Sequence, residues 1–130
     1  MKALQPDGWK RPSGYANGVT ARGTIIFVAG QIGWNAEEKF ESDSLTVQVR
    51  QALLNVCAVL AVGDARPEHI VRMTWFVKDK REYLAEKKSI GEVYREVIGA
   101  TYPATSLVQV ADLLEDRAKV EIEVTAVIPD

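Results

Sequence analysis

Two glutamates on one predicted strand are the side chains in this sequence best placed for acid–base chemistry. Apolar and polar residues alternate along residues 119–126, which predicts a strand with one core face and one polar face. Glu121 and Glu123 share the polar face, about 6.6 Å apart by the rise of a strand. Glycosidases use paired carboxylates, but no other feature of the sequence supports that activity, and a solvated polar face is the simpler interpretation.

Hydroxyl side chains lie on a second predicted strand, residues 103–109, just before the first in the chain. This strand begins at Pro103, and Thr105 and Ser106 point to opposite faces of it. An acidic connector, residues 112–116, separates the two strands, so we expect an antiparallel return between them. Any site built on these residues would lie on a rigid sheet.

The single cysteine and the single histidine give no sign of a metal or redox site. Cys57 lies at helical spacing from Leu53 and Leu60, which favours a buried structural thiol over a nucleophile. One cysteine cannot form an intramolecular disulfide. His69 has no second histidine at ligand spacing. We therefore expect no metal and no cofactor.

An amphipathic helix is predicted after residue 43. Asp43 or Ser44 caps it, its apolar side chains share one face, and Gly63 ends it where a left-handed residue is wanted. The polar positions that we expect to lie off the apolar face are Gln48, Arg50, Gln51 and Asn55.

A second helix is predicted between Asp79, its cap, and Gly99, its end. Gly91 in its interior costs about 1 kcal/mol relative to alanine, which close packing against a sheet would explain. The charged run that includes Lys87 and Lys88 is interleaved with acidic residues, and we interpret it as the solvated face of this helix.

The remaining segments complete an α+β pattern. Residues 15–19 and 24–29 predict a hairpin with its turn at residues 21–23, after an extended arm formed by residues 1–14. Gly30 and Gly33 indicate either a bulge where something approaches the backbone closely or a plain turn. Residues 70–78 are rich in β-branched and aromatic side chains, which predicts a central strand.

Right-handed crossovers place both helices on one face of a mixed sheet. The other face is expected to combine polar side chains with large aromatic ones, namely Arg72, Thr74, Glu121, Glu123, Thr125, Trp34 and Trp75. Oligomers bury faces of this mixed kind, so we expect a closed homo-oligomer.

Length and charge exclude several classes of protein. A chain of 130 residues fits a single domain, residues 1–130, with an autonomous core. The net charge of −2 argues against broad nucleic-acid affinity, which requires clustered cations. The longest apolar run, residues 58–62, is too short to span a membrane, and residues 1–8 lack a secretory signal, so we expect a cytoplasmic protein.

Several short motifs follow one another along the chain in a specific order and spacing. They are Gly14-Tyr15, Asn17-Gly18, Val28-Ala29-Gly30-Gln31-Ile32, Gln51-Ala52-Leu53-Leu54-Asn55-Val56, Phe76-Val77-Lys78-Asp79, Tyr102-Pro103-Ala104 with Ser106, Val108 and Val110-Ala111, and Val120-Glu121-Ile122-Glu123. Together they resemble the reactive intermediate deaminase family, the RidA/YjgF group, nearly end to end. The resemblance implies a chorismate-mutase-like α+β fold, homotrimers whose sheets form a central barrel, and small-molecule clefts between subunits.

The resemblance also implies a reaction and a set of site residues. Family members with an assigned reaction hydrolyse enamines or imines of small carboxylic acids and release ammonia. A glutamate at the position of Glu121 orients a water on the imine carbon, which makes Glu121 the expected catalytic residue. Tyr15 is expected in the cleft wall, and the backbone near Gly30 is expected close to the ligand.

Three positions depart from the family's pattern. Thr105 stands where an arginine normally binds the substrate carboxylate, and a hydroxyl does not replace a bidentate guanidinium. Leu107 and Gly91 stand where cysteine and asparagine are often found, so the pocket is expected to be less polar. Thr105 or Ser106 would supply hydroxyl contacts. The arginines that could replace the missing anchor are Arg11, Arg22 and Arg72.

Three functions remain open at this point. The first is a hydrolase or deaminase for a small reactive imine, enamine or related metabolite, with a preference that differs from amino-acid-derived 2-imino acids. The second is a non-catalytic trimeric protein that binds ligands or acts like a chaperone. The third is an endoribonuclease or translation inhibitor, which the acidic net charge disfavours.

Overall fold

A four-stranded mixed sheet, covered by helices on one face, is the platform for the rest of the chain. The computed structural model describes residues 1–130. Its elements in chain order are β1 (Lys2–Leu4), β2 (Gly18–Thr20), β3 (Gly23–Ile32), α1 (Leu45–Val62), a 3-10 turn (Pro67–His69), β4 (Ile70–Val77), α2 (Lys80–Ala85), α3 (Lys87–Val97), β5 (Ala104–Gln109) and β6 (Val120–Pro129).

The strand order in the sheet is β3-β6-β4-β5, with β4 and β5 parallel and β6 antiparallel to both of its neighbours. β5 and β6 run antiparallel as expected, but they do not pair with each other, because β4 lies between them. A helical crossover through α2 and α3 brings the chain back parallel to β4, and β6 then pairs with β3 and β4.

The expected hairpin at the start of the chain is also wrong. β2 pairs with β1 in a separate two-stranded ribbon, with Ala3 opposite Val19, and does not pair with β3. Just before β2, Ala16 forms a bridge with Ala104 at the start of β5. These pairings direct this segment towards β1 and β5, at the opposite edge of the sheet from β3.

The apolar face of α1 packs on the sheet and forms the core. Leu53, Val56 and Leu60 are fully buried, as are Ile122 on β6 and Ile70 on β4. By length and composition alone α1 could span a membrane, but this apolar surface is occupied by the sheet. Ser44 caps the helix as predicted, accepting a hydrogen bond from the N–H of Val47.

Gln48 lies inside the protein, which corrects the expectation that it is off the buried face. Its side-chain nitrogen donates to the carbonyl oxygens of Ser42 and Arg117, both at 3.0 Å, and its oxygen accepts from the N–H of Lys119 at 2.8 Å. These bonds satisfy the buried amide, so its burial carries no unpaired polar group.

Helix ends show two further differences. Asp64, with φ of 61°, is the left-handed residue after α1, while Gly63 has φ of −90°. The predicted second helix is divided at Glu86 into α2 and α3. The Glu86 carboxylate accepts hydrogen bonds from the N–H and the hydroxyl of Thr46, at 3.1 and 2.6 Å, so it serves the first turn of α1.

The helices cover one face of the sheet, and the other face is open. Trp75, expected on the open face, is 5% exposed and lies on the covered face, since it is paired with the buried Ile122. The open face carries Phe76 and Glu121, which are paired, and on β3 the side chains of Ile25 and Phe27.

Candidate functional site

A cavity of about 570 Å³ opens between the helices and the edge strand β5. Its walls come from β5, α2, α3, and residues 13–15 of the segment before β2. The volume falls in the range of small-molecule sites. This cavity is the candidate binding site.

Strand β5 supplies one wall. Thr105 and Leu107 pair with Met73 and Trp75, whose side chains are buried on the covered face, so both point towards the helices and line the cavity. The hydroxyl of Thr105 donates to the carbonyl oxygen of Pro103 at 2.9 Å. This local bond occupies its only donor.

Tyr15 reaches the cavity because the segment before β2 is attached to the start of β5. The N–H of Ala16 donates to the carbonyl oxygen of Pro103 at 3.1 Å. Gly14, with φ of +79°, turns the chain immediately before Tyr15 in a left-handed conformation that favours glycine. Tyr15 and Gly14 both line the cavity.

Aromatic side chains form the floor and rim. The five in the lining are Tyr15, Trp75, Tyr83, Tyr94 and Tyr102. The rings of Tyr94 and Tyr102 stack with centroids 5.7 Å apart, and burial, with the neighbouring Tyr102, raises the pKa of Tyr94 well above its usual range. The indole N–H of Trp75 is buried without an acceptor in the chain, which costs about 1–3 kcal/mol.

Helix α3 supplies the charged wall. Lys87, Lys88 and Arg95 line the cavity, and no carboxylate does. None of these three cations forms a salt bridge. Gly91 lies one turn from both Lys87 and Arg95, and a Cβ added to it would lie 3.7 Å from a guanidinium nitrogen of Arg95. Open space, and not close packing against the sheet as expected, accounts for this glycine.

Glu121 lies on the other face of the sheet. A Cβ on Gly30 would lie 2.7 Å from Cδ of Glu121, so the glutamate side chain rests directly on this glycine. The pairing of β3 and β6 shifts register between Val28 and Gln31, so the expected bulge is present. Ser106 is exposed on the same open face, paired with Thr74.

Within the chain the structure therefore divides the sequence-predicted site residues between the two faces of the sheet. Tyr15, Gly91, Thr105 and Leu107 line the cavity, and Glu121 with Gly30 and Ser106 lies on the open face.

None of the arginines considered as a replacement anchor lines the cavity. Arg22 faces Asp130 across 3.5 Å, and Arg72 is paired with Thr125 of the open face. Sequence reasoning missed Arg95. The signal was present, because Lys87, Gly91 and Arg95 recur every four residues on one stripe of the second helix.

The chain is a small α+β protein, and its cavity beside the edge strand β5 has the volume of a small-molecule site. Residues 9–128 match the family model described as endoribonuclease L-PSP. The chain is 34% identical over 113 residues to the 2-iminobutanoate/2-iminopropanoate deaminase of Salmonella typhimurium, covering 87% of this chain and 86% of that protein. A RutC family protein of Synechocystis is 34% identical over 131 residues, covering 99% and 98%.

Solved structures agree. A Rid family protein of unknown function, YyfB from Yersinia pestis, superposes with a TM-score of 0.85 at 27% identity, covering 98% of each chain. TdcF of Escherichia coli, crystallised with bound serine, has a TM-score of 0.69 at 33% identity, covering 98% of this chain and 99% of that one. The chain thus belongs to the endoribonuclease L-PSP family, within the RidA/YjgF group.

Proposed function

We propose that this protein is a hydrolase of the reactive intermediate deaminase kind. It acts on a reactive imine, enamine or related metabolite, with a preference that differs from small amino-acid-derived 2-imino acids. The observation that carries the altered preference is Thr105, which faces the cavity and donates its hydroxyl to the backbone. That wall therefore presents no cation to a substrate carboxylate.

We further propose that the active site forms between subunits of a homotrimer. In one subunit Glu121 is separated from the cavity by the thickness of the sheet. The open face around it exposes apolar side chains that a monomer would leave in water, with Phe27 76% and Ile25 56% exposed. Association through this face buries them and places Glu121 of one subunit beside the cavity of the next.

In the assembled site Glu121 would hold the water that attacks the C=N carbon. Its side chain rests on Gly30, which limits the directions it can take. Water adds to the carbon, the carboxylate accepts a proton from that water, and the nitrogen leaves as ammonia after protonation, so the imine becomes a carbonyl compound.

The test is ammonia release from freshly generated 2-iminobutanoate and from imines of other carbonyl compounds. Glu121→Gln is expected to lower the rate by about a hundredfold or more, whereas Glu123→Gln, a matched change on the same strand face, should not. Thr105→Arg is expected to increase activity on 2-iminobutanoate. Equal rates for wild type and Glu121→Gln would remove the catalytic assignment and favour a non-catalytic ligand-binding protein.

A further inference from the structure

The cavity carries a charge pattern that none of the family-implied residues explains. Lys87, Lys88 and Arg95 line it, no carboxylate balances them within the lining, and none of them is engaged in a salt bridge. All three side chains are exposed, and three cations around one cavity without a paired carboxylate favour an anionic ligand.

The floor and rim of the same cavity are aromatic. Tyr94 and Tyr102 stack on each other, and Trp75 lies 6.5 Å from Tyr94 between ring centroids. Aromatic rings pack favourably against flat conjugated groups. A short aliphatic acid would leave most of this surface uncovered.

The absence of a side chain at Gly91 leaves room for the Arg95 guanidinium. The guanidinium lies at ordinary contact distance, 3.7 Å, from where a Cβ of residue 91 would be. An alanine therefore fits, but a longer side chain extends into the space that Arg95 occupies. The position of Arg95 at the cavity therefore depends on the absence of a long side chain at residue 91.

We propose that this cavity binds an anionic compound with a planar conjugated or aromatic body, and that Arg95, whose guanidinium lies in the space beside Gly91, holds its carboxylate. The anchor has thus moved from strand β5 to helix α3. As a statement about substrate class, this inference rests on the proposed function; as a statement about binding, it is tested without turnover.

The probes are trans-cinnamate, crotonate, which replaces the phenyl ring by a methyl group, and cinnamamide, which replaces the carboxylate by a neutral amide. Isothermal titration calorimetry on the wild type is expected to show cinnamate binding at least about tenfold more tightly than either of the others. Packing of the phenyl ring accounts for the difference between cinnamate and crotonate. A charged hydrogen-bonded contact with the carboxylate accounts for the difference between cinnamate and cinnamamide.

Variants test whether Arg95 and Gly91 are responsible for the preference for cinnamate. Arg95→Gln should remove the preference for cinnamate over cinnamamide and leave cinnamamide unchanged, whereas Arg81→Gln, an exposed arginine on α2 outside the cavity, should change neither. Gly91→Asn should behave like Arg95→Gln. Thermal melts check that each variant is folded.

The inference is overturned if cinnamate binds no more tightly than crotonate and cinnamamide, or if Arg95→Gln has the same effect as Arg81→Gln. Ammonia release measured on the same preparations separates the two proposals. A protein that selects cinnamate but releases no ammonia from any imine contradicts the proposed function alone. An active deaminase that does not discriminate among the probes contradicts this inference alone.

Discussion

The two faces of the central sheet divide the chemistry of this protein between them. The covered face, where β5 meets α3, holds a cavity with aromatic and cationic walls, including Tyr94 and Arg95. The open face holds Glu121 on Gly30, with apolar side chains such as Phe27 exposed beside it. One face has a cavity with no carboxylate in its lining, and the other carries the proposed base, Glu121, outside that lining.

The difference shows why an isolated subunit is an incomplete description of the proposed enzyme. Side chains alternate strictly between the faces of a strand, so no small movement brings Glu121 into the cavity of its own subunit. Association of subunits through the open face is the simplest way to bring the two groups of residues together. The following predictions test the comparison between the faces, in order of decreasing effect.

The largest effect is expected on assembly. Phe27→Asp places a charge among the exposed apolar side chains of the open face and should convert the proposed trimer into monomers, since buried interface aromatics each contribute about 2 kcal/mol or more. Light scattering coupled to size-exclusion chromatography measures the mass. Leu114→Asp, at a side chain 95% exposed in the β5–β6 connector, is the control and should remain trimeric. A wild type that is monomeric at micromolar concentration would contradict the proposed interface.

The next effect is on folding stability and compares neighbouring residues of β6. Ile122 is fully buried on the covered face, so Ile122→Ala should lower the free energy of unfolding by about 2–5 kcal/mol. Glu123→Ala, on the open face, should change it by no more than about 0.5 kcal/mol. Chemical denaturation at one protein concentration measures both. Similar losses for the two variants would show that the open face is as tightly packed as the core.

Two glycines, one on each face, give a smaller contrast. Gly30→Ala pushes against the carboxyl group of Glu121 and should reduce ammonia release by about tenfold, which corresponds to about 1.4 kcal/mol in the barrier. Gly91→Ala meets only Arg95 at 3.7 Å and should stabilise α3 by up to about 1 kcal/mol. Rates of ammonia release and thermal melts distinguish the two variants. An unchanged rate for Gly30→Ala would show that the proposed role of Glu121 does not depend on its contact with Gly30.

The smallest effect concerns an exposed ion pair between the two helices α1 and α3. The Arg50 guanidinium joins α1 to Glu96 of α3, and this hydrogen bond and the positive charge lower the pKa of the Glu96 carboxyl below its ordinary 4.5. A lowered folded-state pKa stabilises the protein above the unfolded-state pKa, and that contribution is lost as the pH falls through the folded-state pKa.

Glu96→Gln should therefore melt slightly below the wild type near about pH 7, with the difference shrinking towards about pH 3. Glu92→Gln, an exposed carboxylate of α3 without an ion pair, serves as the control and should show no such pH dependence. A difference between Glu96→Gln and wild type that grows on acidification would contradict the assignment.

Local patterns in the sequence were sufficient for most elements of the fold. The alternation along β6 was predicted correctly, and for the cap of α1 and the glycines after Val28 the sequence narrowed the choice to two alternatives, of which the structure has the Ser44 cap and the bulge. Each of these features depends on residues close together in the chain. The strand order was not, because β6 pairs with β3 and β4 over long sequence separations that no local pattern encodes.

Glu86 shows a different kind of limit. Periodicity predicted one helix across it, and the structure divides the helix there. At this residue the Glu86 carboxylate accepts a hydrogen bond from Thr46, forty residues away in the chain, a contact that local periodicity does not contain. Gln48 is a similar case, because the hydrogen-bond partners of its buried amide come from residues 42, 117 and 119, two of them distant in the chain.

By itself the sequence determined the family, the helix-covered mixed sheet and the face of β6 on which Glu121 lies, because alternation and motif spacing are properties of the linear chain. Only the tertiary structure decided that Thr105 faces a cavity, that Glu121 does not share it within one subunit, and that Arg95 does. Those relations depend on which faces of separate elements meet, and packing in three dimensions fixes that choice.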